Sequence, residues 1–92
     1  MSRICLALGL IGLTAACALP PDGVSEADLA RYDSAVTSLG CTLVTEPDYL
    51  AAGIQTGLTR EQLLEVTAYK LSSGGAERLP EGGIKLTTGA CA

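Results

Sequence analysis

Histidine, phenylalanine and tryptophan are missing from this chain of 92 residues, and its only aromatic side chains are three tyrosines. Without histidine, the chain lacks the commonest general base and a frequent metal ligand. No serine or threonine lies in a recognisable nucleophile motif. We therefore predict that the protein is not an enzyme and that it carries no cofactor and no metal.

A hydrophobic run long enough to cross a membrane is also missing. The apolar stretch at residues 4–13 has about half of the roughly 20 residues that a transmembrane helix needs. A short basic start precedes it, and small residues ending at Cys17 follow it. This order is typical of a bacterial export signal. We predict an export signal over residues 1–18, a short linker over 19–24 and one globular domain over 25–92.

The end of the export signal leaves two cleavage sites open. The segment that ends at Cys17 resembles a lipobox, in which Cys17 would be lipidated, although Thr14 stands where leucine is usual. The rival is an Ala-x-Ala site cut after Ala18, which would release a soluble periplasmic protein starting at Leu19. We favour the lipoprotein. Because Ala18 is not the Asp that would suggest inner-membrane retention, we expect the periplasmic side of the outer membrane.

Basic side chains are scarce in the mature chain. Once Arg3 is removed with the signal, five basic side chains stand against ten acidic ones, which gives a net charge near −5. Such a surface repels nucleic acid and anionic lipid headgroups. We predict no nucleic-acid partner, contact with the membrane only through a lipid on Cys17 if it is acylated, and an envelope protein as the partner.

Cys41 and Cys91 are the two cysteines left to pair in the mature chain, since Cys5 is removed with the signal and Cys17 is removed or lipidated. A mature chain of about 75 residues buries too little apolar surface to be comfortably stable, and exported proteins of this size use disulfides. A redox pair is the alternative, but reactive dithiols usually lie in Cys-x-x-Cys at a helix start. The sequence therefore predicts a structural Cys41–Cys91 disulfide.

Three capping boxes predict three helix starts. Each has a Ser or Thr N-cap three residues before an acid or Gln, bracketed by apolar residues. The N-caps are Ser25, Thr45 and Thr59, and the predicted helices run over about 26–39, 46–54 and 60–72. On helix three, the apolar residues spread over roughly 200° and predict a central helix buried on two sides; they are Leu63, Leu64, Val66, Ala68 and Leu71. Lys70 lies inside that arc, and we expect it to snorkel to solvent.

Strand-favouring segments lie at 41–44, 76–79 and 84–88, the last two joined by a turn at 80–83. The predicted fold is α+β, with three helices and a three-stranded antiparallel sheet in the order α-β-α-α-β-β. This order resembles the winged-helix arrangement, which implies that the first strand pairs with the last. The predicted disulfide would join the same two parts of the chain.

Winged helices are best known as DNA readers, and helix three corresponds to their recognition helix. Its basic residues Arg60 and Lys70 are balanced by Glu61 and Glu65, so the helix has no net positive charge. DNA binding is therefore not predicted. Glu61 and Glu65 lie one turn apart and could ligate a cation, but no third ligand is indicated, so a solvated helix face is the preferred interpretation.

A candidate contact surface on helix three consists of Gln62, Glu65 and Tyr69, because Tyr69 is expected to face solvent and Tyr is enriched at binding hot spots. The chain also resembles small uncharacterised exported bacterial proteins and lipoproteins in its segments 40–44, 55–63 and 86–92. That resemblance implies no activity and no functional residue. Two hypotheses follow: an envelope interaction module without catalysis, or a periplasmic domain that binds a small ligand or a cation.

Overall fold

Three α-helices begin at the three predicted capping boxes in the computed structural model, which describes residues 19–92. At each start, the N-cap side chain accepts a hydrogen bond from the backbone N–H of the third helical residue, whose own side chain accepts one in return. The helices are α1, Glu26–Ser38; α2, Glu46–Thr56; and α3, Arg60–Ser73. Val24, inside the segment predicted as a linker, is buried beside the first cap. The predicted helix starts are confirmed.

The sheet has three short antiparallel strands: β1, Thr42–Leu43; β2, Ala76–Arg78; and β3, Ile84–Leu86. Their order in the sheet is β1-β3-β2, so the first strand pairs with the last. Lys85, in the central strand β3, lies opposite Thr42 of β1 and opposite Glu77 of β2. The α+β class, the element order and the strand pairing implied by the winged-helix resemblance are confirmed.

The predicted disulfide joins Cys41, just before β1, to Cys91 in a 3₁₀ turn at Gly89–Cys91. The two Cα atoms lie 5.7 Å apart, and Cys91 is buried against α1, with its Sγ 3.4 Å from the hydroxyl of Thr37. Among residues 19–92 there is no free cysteine. The bond fastens the end of the chain to the edge of the sheet and to the C-terminal part of α1.

The core lies between the sheet and the three helices. The largest fully buried side chains come from α1, β1, α3 and β3, and they are Tyr32, Val36, Leu43, Leu63, Val66 and Leu86. One polar contact crosses this core: the hydroxyl of Tyr32 lies 2.7 Å from that of Thr67, which also donates to the carbonyl of Leu63. Burial raises the pKa of Tyr32 to about 12, although the Thr67 hydrogen bond acts in the opposite direction.

The predicted burial of α3 is wrong in two respects. Leu64 is 50% exposed and Ala68 is also exposed, whereas Thr67 is buried. Thr67 can be buried because both Tyr32 and the carbonyl of Leu63 satisfy its hydroxyl. The central helix is instead α1, which contacts α2, α3, β1 and β3.

The prediction that Lys70 snorkels to solvent is also wrong. Its side chain is only 12% exposed, and its Nζ lies 2.8 Å from Oδ1 and 3.0 Å from Oδ2 of Asp33 on α1. A lysine at such a position usually extends its ammonium group to water. Lys70 does not, because the carboxylate of Asp33 pairs with the ammonium group of Lys70 inside the protein. The ion pair therefore joins α1 to α3.

Candidate functional site

Large apolar side chains are exposed on one side of the domain, where α2 meets α3. Leu50 and Ile54 on α2 are 58% and 84% exposed, and Leu64 on α3 is half exposed. Leu50 and Ile54 lie one helical turn apart, as do Leu64 and Ala68, so each helix presents a short apolar ridge. Clustered exposed apolar residues mark interaction sites more often than isolated ones do.

Tyr49 connects the two ridges because it borders a shallow cleft on each side. One cleft, of about 280 Å³, is lined by Leu50, Ile54 and neighbouring residues of α2 and α3. The other, of about 260 Å³, is lined by Leu64, Ala68 and the β2–β3 hairpin. We call the surface formed by Tyr49, Leu50, Ile54, Leu64 and Ala68 the α2–α3 face.

Arg60 holds the centre of the α2–α3 face in place. Its guanidinium carbon lies 4.7 Å from the ring centroid of Tyr49, a cation–π distance. Two of its nitrogens donate to the two carboxylate oxygens of Glu46, both at 2.6 Å. These hydrogen bonds and the charge of Arg60 lower the pKa of Glu46. Because the pair is exposed, its main effect is to orient Arg60 over the tyrosine ring rather than to stabilise the fold.

Two carboxylates border the face along α3. Glu61 and Glu65 are exposed beside Leu64 and Ala68, and neither forms an ion pair within the described chain. Arg78 on β2 lines the 260 Å³ cleft together with Leu64 and Ala68. Over residues 19–92, no group of three or more histidine, cysteine or acidic side chains is placed to hold a metal ion.

The predicted contact surface of Gln62, Glu65 and Tyr69 is only partly accessible. Glu65 is exposed, but Gln62 is partly buried, and its Oε1 accepts a hydrogen bond from the backbone N–H of Thr59 at 3.0 Å. The expectation that Tyr69 faces solvent is wrong, since it is partly buried and packs against the core. Tyr69 points towards α1, where it lines a cleft with Leu29 and other α1 residues.

The cleft lined by Tyr69, between α1 and the C-terminal part of α3, is a third one and has a volume of about 390 Å³. It is more polar than the α2–α3 face, with Glu26, the Asp33–Lys70 ion pair and the hydroxyl groups of Ser73 and Thr88 in its lining. Among residues 19–92, Lys70 is the one cation in this lining, and Asp33 already neutralises it. The cleft therefore offers hydrogen-bonding groups and an acidic side chain, but no free positive charge.

The exposed residues of α2 were not predicted from the sequence, although a signal was present. Residues 49–54 read Tyr-Leu-Ala-Ala-Gly-Ile, and the Tyr49 hydroxyl is their only polar side-chain group. A helix at the surface of a small domain buries only one stripe. Ala52 and Thr56 form that buried stripe here, so Leu50 and Ile54 remain at the surface.

No family model, no curated protein and no solved structure matches this chain. The lipidation site predicted at Cys17 and the rest of the export signal lie outside the described residues. Within the described part of the chain, no helix has both the length and the apolar character needed to cross a membrane. The interpretation of the site therefore depends on its own geometry.

Proposed function

We propose that this protein is a small exported component of the bacterial envelope that acts as an interaction module without catalysis, and that the α2–α3 face is its docking surface. One observation carries the proposal: Leu50, Ile54 and Leu64 are exposed around a tyrosine that Arg60 holds in place. Tyr and Arg are the residue types that most often dominate binding energy at protein interfaces.

Burying the exposed apolar side chains of the face would contribute favourable free energy to the binding of a partner. Fully burying a leucine or isoleucine side chain stabilises by roughly 1.5–3 kcal/mol. Ile54 is 84% exposed, so nearly all of that free energy is still available for binding. Because the Glu46 ion pair already orders Arg60, and Arg60 contacts the Tyr49 ring, binding would lose little additional side-chain entropy at the centre of the face.

The proposed localisation of the protein is supported by its first 18 residues and by its disulfide. A basic start, a short apolar run and small residues before Cys17 support export, and a Cys41–Cys91 bond suits an oxidising compartment. We propose the periplasmic side of the outer membrane, with Cys17 lipidated. Replacing Cys17 with Ser should release the protein into the soluble periplasmic fraction; a wild-type protein that is already soluble and begins at Leu19 would contradict the lipid anchor.

Affinity capture from envelope extract tests the docking surface. Ile54→Ser should lower recovery of the partner at least about tenfold, since losing roughly 1.4 kcal/mol of binding free energy has that effect. The melting temperature should stay nearly unchanged because Ile54 is exposed. Leu19→Ser is the matched control, because Leu19 is 79% exposed but lies outside the face. Equal recovery with Ile54→Ser and Leu19→Ser would contradict the proposal.

The cleft between α1 and α3 favours the second candidate function, binding of a small polar ligand or a cation. The observation that supports this function is that Glu26 and the Asp33–Lys70 pair lie together on one concave surface. A thermal-shift screen of amino acids, amines and divalent cations tests it. A stabilising compound should lose its effect with Thr88→Val, which removes a hydroxyl from the lining, and should keep it with Ile54→Ser. The absence of any stabilising compound would count against this function.

A further inference from the structure

The geometry points to a particular partner for the α2–α3 face: an amphipathic helix with one apolar stripe and basic residues along one flank. This inference rests on the proposed function and names the kind of partner. The occupant follows from the shape of the face and from the charges that border it.

The shape of the face suits a helix. Two apolar ridges, one on α2 and one on α3, run beside two shallow clefts that meet at Tyr49. A partner helix places apolar side chains at i, i+3 or i+4, and i+7 along one side, and such a row fits a surface with successive shallow clefts. Ile54 and Leu64, exposed on different helices, would contact opposite sides of that row.

The charges that border the face determine which charge the partner helix should carry along its flank. Glu61 and Glu65 lie one turn apart along the α3 border and have no ion-pair partner within residues 19–92. Arg60 contributes no free positive charge, since both of its donating nitrogens are bonded to Glu46. Lysine or arginine side chains on one flank of the partner would therefore pair with Glu61 and Glu65.

The same charges disfavour two other occupants. A twofold dimer would bring the same patch of two chains together, including Glu61 and Glu65 of each copy. The mature chain carries a net charge near −5, from five basic and ten acidic side chains, so two copies repel each other. An anionic lipid surface is repelled in the same way. A basic partner helix is the occupant that gains from both the apolar ridges and the acidic border.

Fluorescence anisotropy with two designed peptides tests the inference. Each labelled peptide is about 18 residues long, roughly five helical turns, with an identical leucine stripe and flanks of either lysine or glutamate. The lysine peptide should bind the mature protein at least about tenfold more tightly than the glutamate peptide, with an affinity that falls as salt rises. Glu61→Gln combined with Glu65→Gln should weaken the lysine peptide about fivefold. Glu77→Gln combined with Glu81→Gln, which removes the same charge at exposed residues that line neither cleft of the face, should not.

The outcomes separate this inference from the proposed function. If Ile54→Ser abolishes binding but the two peptides bind equally well, the face docks a partner and the basic flank is wrong. If the control Glu77 and Glu81 variant loses as much affinity as the Glu61 and Glu65 variant, the attraction is non-specific and the inference is overturned. If Ile54→Ser binds the lysine peptide as the wild type does, the α2–α3 face is not the site and the proposed function fails as well. Dimerisation of the wild type that Ile54→Ser abolishes would assign the face to a second copy.

Discussion

At the scale of single residues, Gly83 determines how closely β3 can approach β1. A Cβ atom at this position would lie 2.7 Å from the Cα of Val44 and closer still to the carbonyl oxygen of Leu43. Its φ of 82° is also in the left-handed region that favours glycine. The close approach shows why this position, at the start of the β1–β3 pairing, has no side chain.

We predict that Gly83→Ala destabilises the domain by about 2–3 kcal/mol, since overpacking a tight site typically costs about 1–3 kcal/mol and the positive φ adds to that cost. Gly82→Ala is the matched control, because Gly82 also has a positive φ but its Cβ would meet nothing within 4 Å. Urea denaturation followed by circular dichroism gives both values. Equal effects at the two glycines would show that the β1 contact is not as close as described.

Tyr32 makes stability depend on alkaline pH. Burial raises its pKa to about 12 in the folded protein, against an unfolded value of 10.0. The unfolded chain therefore loses the Tyr32 proton first, so the stability associated with this group is complete below pH 10 and is lost as pH rises from 10 towards 12. At about 1.4 kcal/mol per pKa unit, the loss is roughly 2–3 kcal/mol.

Tyr32→Phe tests this linkage. Below pH 10 we expect the variant to be about 1 kcal/mol less stable than the wild type, because the buried hydrogen bond between Tyr32 and Thr67 is lost and Thr67 keeps only its bond to the carbonyl of Leu63. Between pH 10 and 12 the difference should shrink or reverse, since the variant has no proton to lose at this position. Denaturation curves at matched pH values give the difference directly, and a constant difference across this range would show that Tyr32 is not the group responsible.

At the scale of elements, the α2 cap controls the helix that carries most of the exposed apolar face. The Thr45 hydroxyl accepts from the N–H of Asp48, and the Asp48 carboxylate accepts from the N–H groups of Thr45 and Val44. These backbone hydrogen bonds lower the pKa of Asp48. The cap thus joins the end of β1 to the start of α2.

We predict that Thr45→Ala lowers the free energy of unfolding by about 1 kcal/mol, the usual effect of removing an N-cap hydroxyl. Thr45→Ser should retain most of the stability because serine keeps the oxygen that accepts from Asp48. Chemical denaturation of the two variants side by side gives the comparison. If both variants lose the same amount, the methyl group of Thr45 rather than its cap hydrogen bond is what matters.

The elements also show which features a single sequence can predict. The starts of α1, α2 and α3 depend on residues three positions apart, and all three were predicted correctly from the sequence. Burial on α3 was mispredicted because it depends on distant partners: Thr67 bonds Tyr32 across 35 residues, and Lys70 bonds Asp33 across 37. Hydrophobic periodicity cannot detect such pairs. The exposed face was missed for a related reason, because neither α2 nor α3 alone shows that their apolar ridges adjoin.

At the scale of the whole molecule, the Cys41–Cys91 bond limits the freedom of the unfolded chain. It closes a loop of 50 residues, and loop-closure entropy assigns such a bond about 4 kcal/mol. That is a large part of the 5–15 kcal/mol by which folded domains are ordinarily stable. A domain with so few aromatic residues depends strongly on it.

We predict that replacing both Cys41 and Cys91 with Ser lowers the free energy of unfolding by about 3–4 kcal/mol. Mass spectrometry of the native mature protein should show the two-dalton increase on reduction that one disulfide gives. Under the same reducing conditions, the wild type should lose a similar amount of stability. Two alkylatable thiols in the native protein, or a double variant as stable as the oxidised wild type, would contradict this role for the disulfide.

The central claim is that the α2–α3 face is occupied by a partner in the cell, and site-specific photo-crosslinking tests it most directly. A photoreactive amino acid is placed at Ile54 on the face, or at Ser34, which is exposed on α1, in the full-length protein in living cells. We predict a discrete higher-mass adduct from position 54 and none from position 34, and Leu50→Ser should weaken that adduct. Absence of an adduct at position 54, or equal adducts from both positions, would contradict the account.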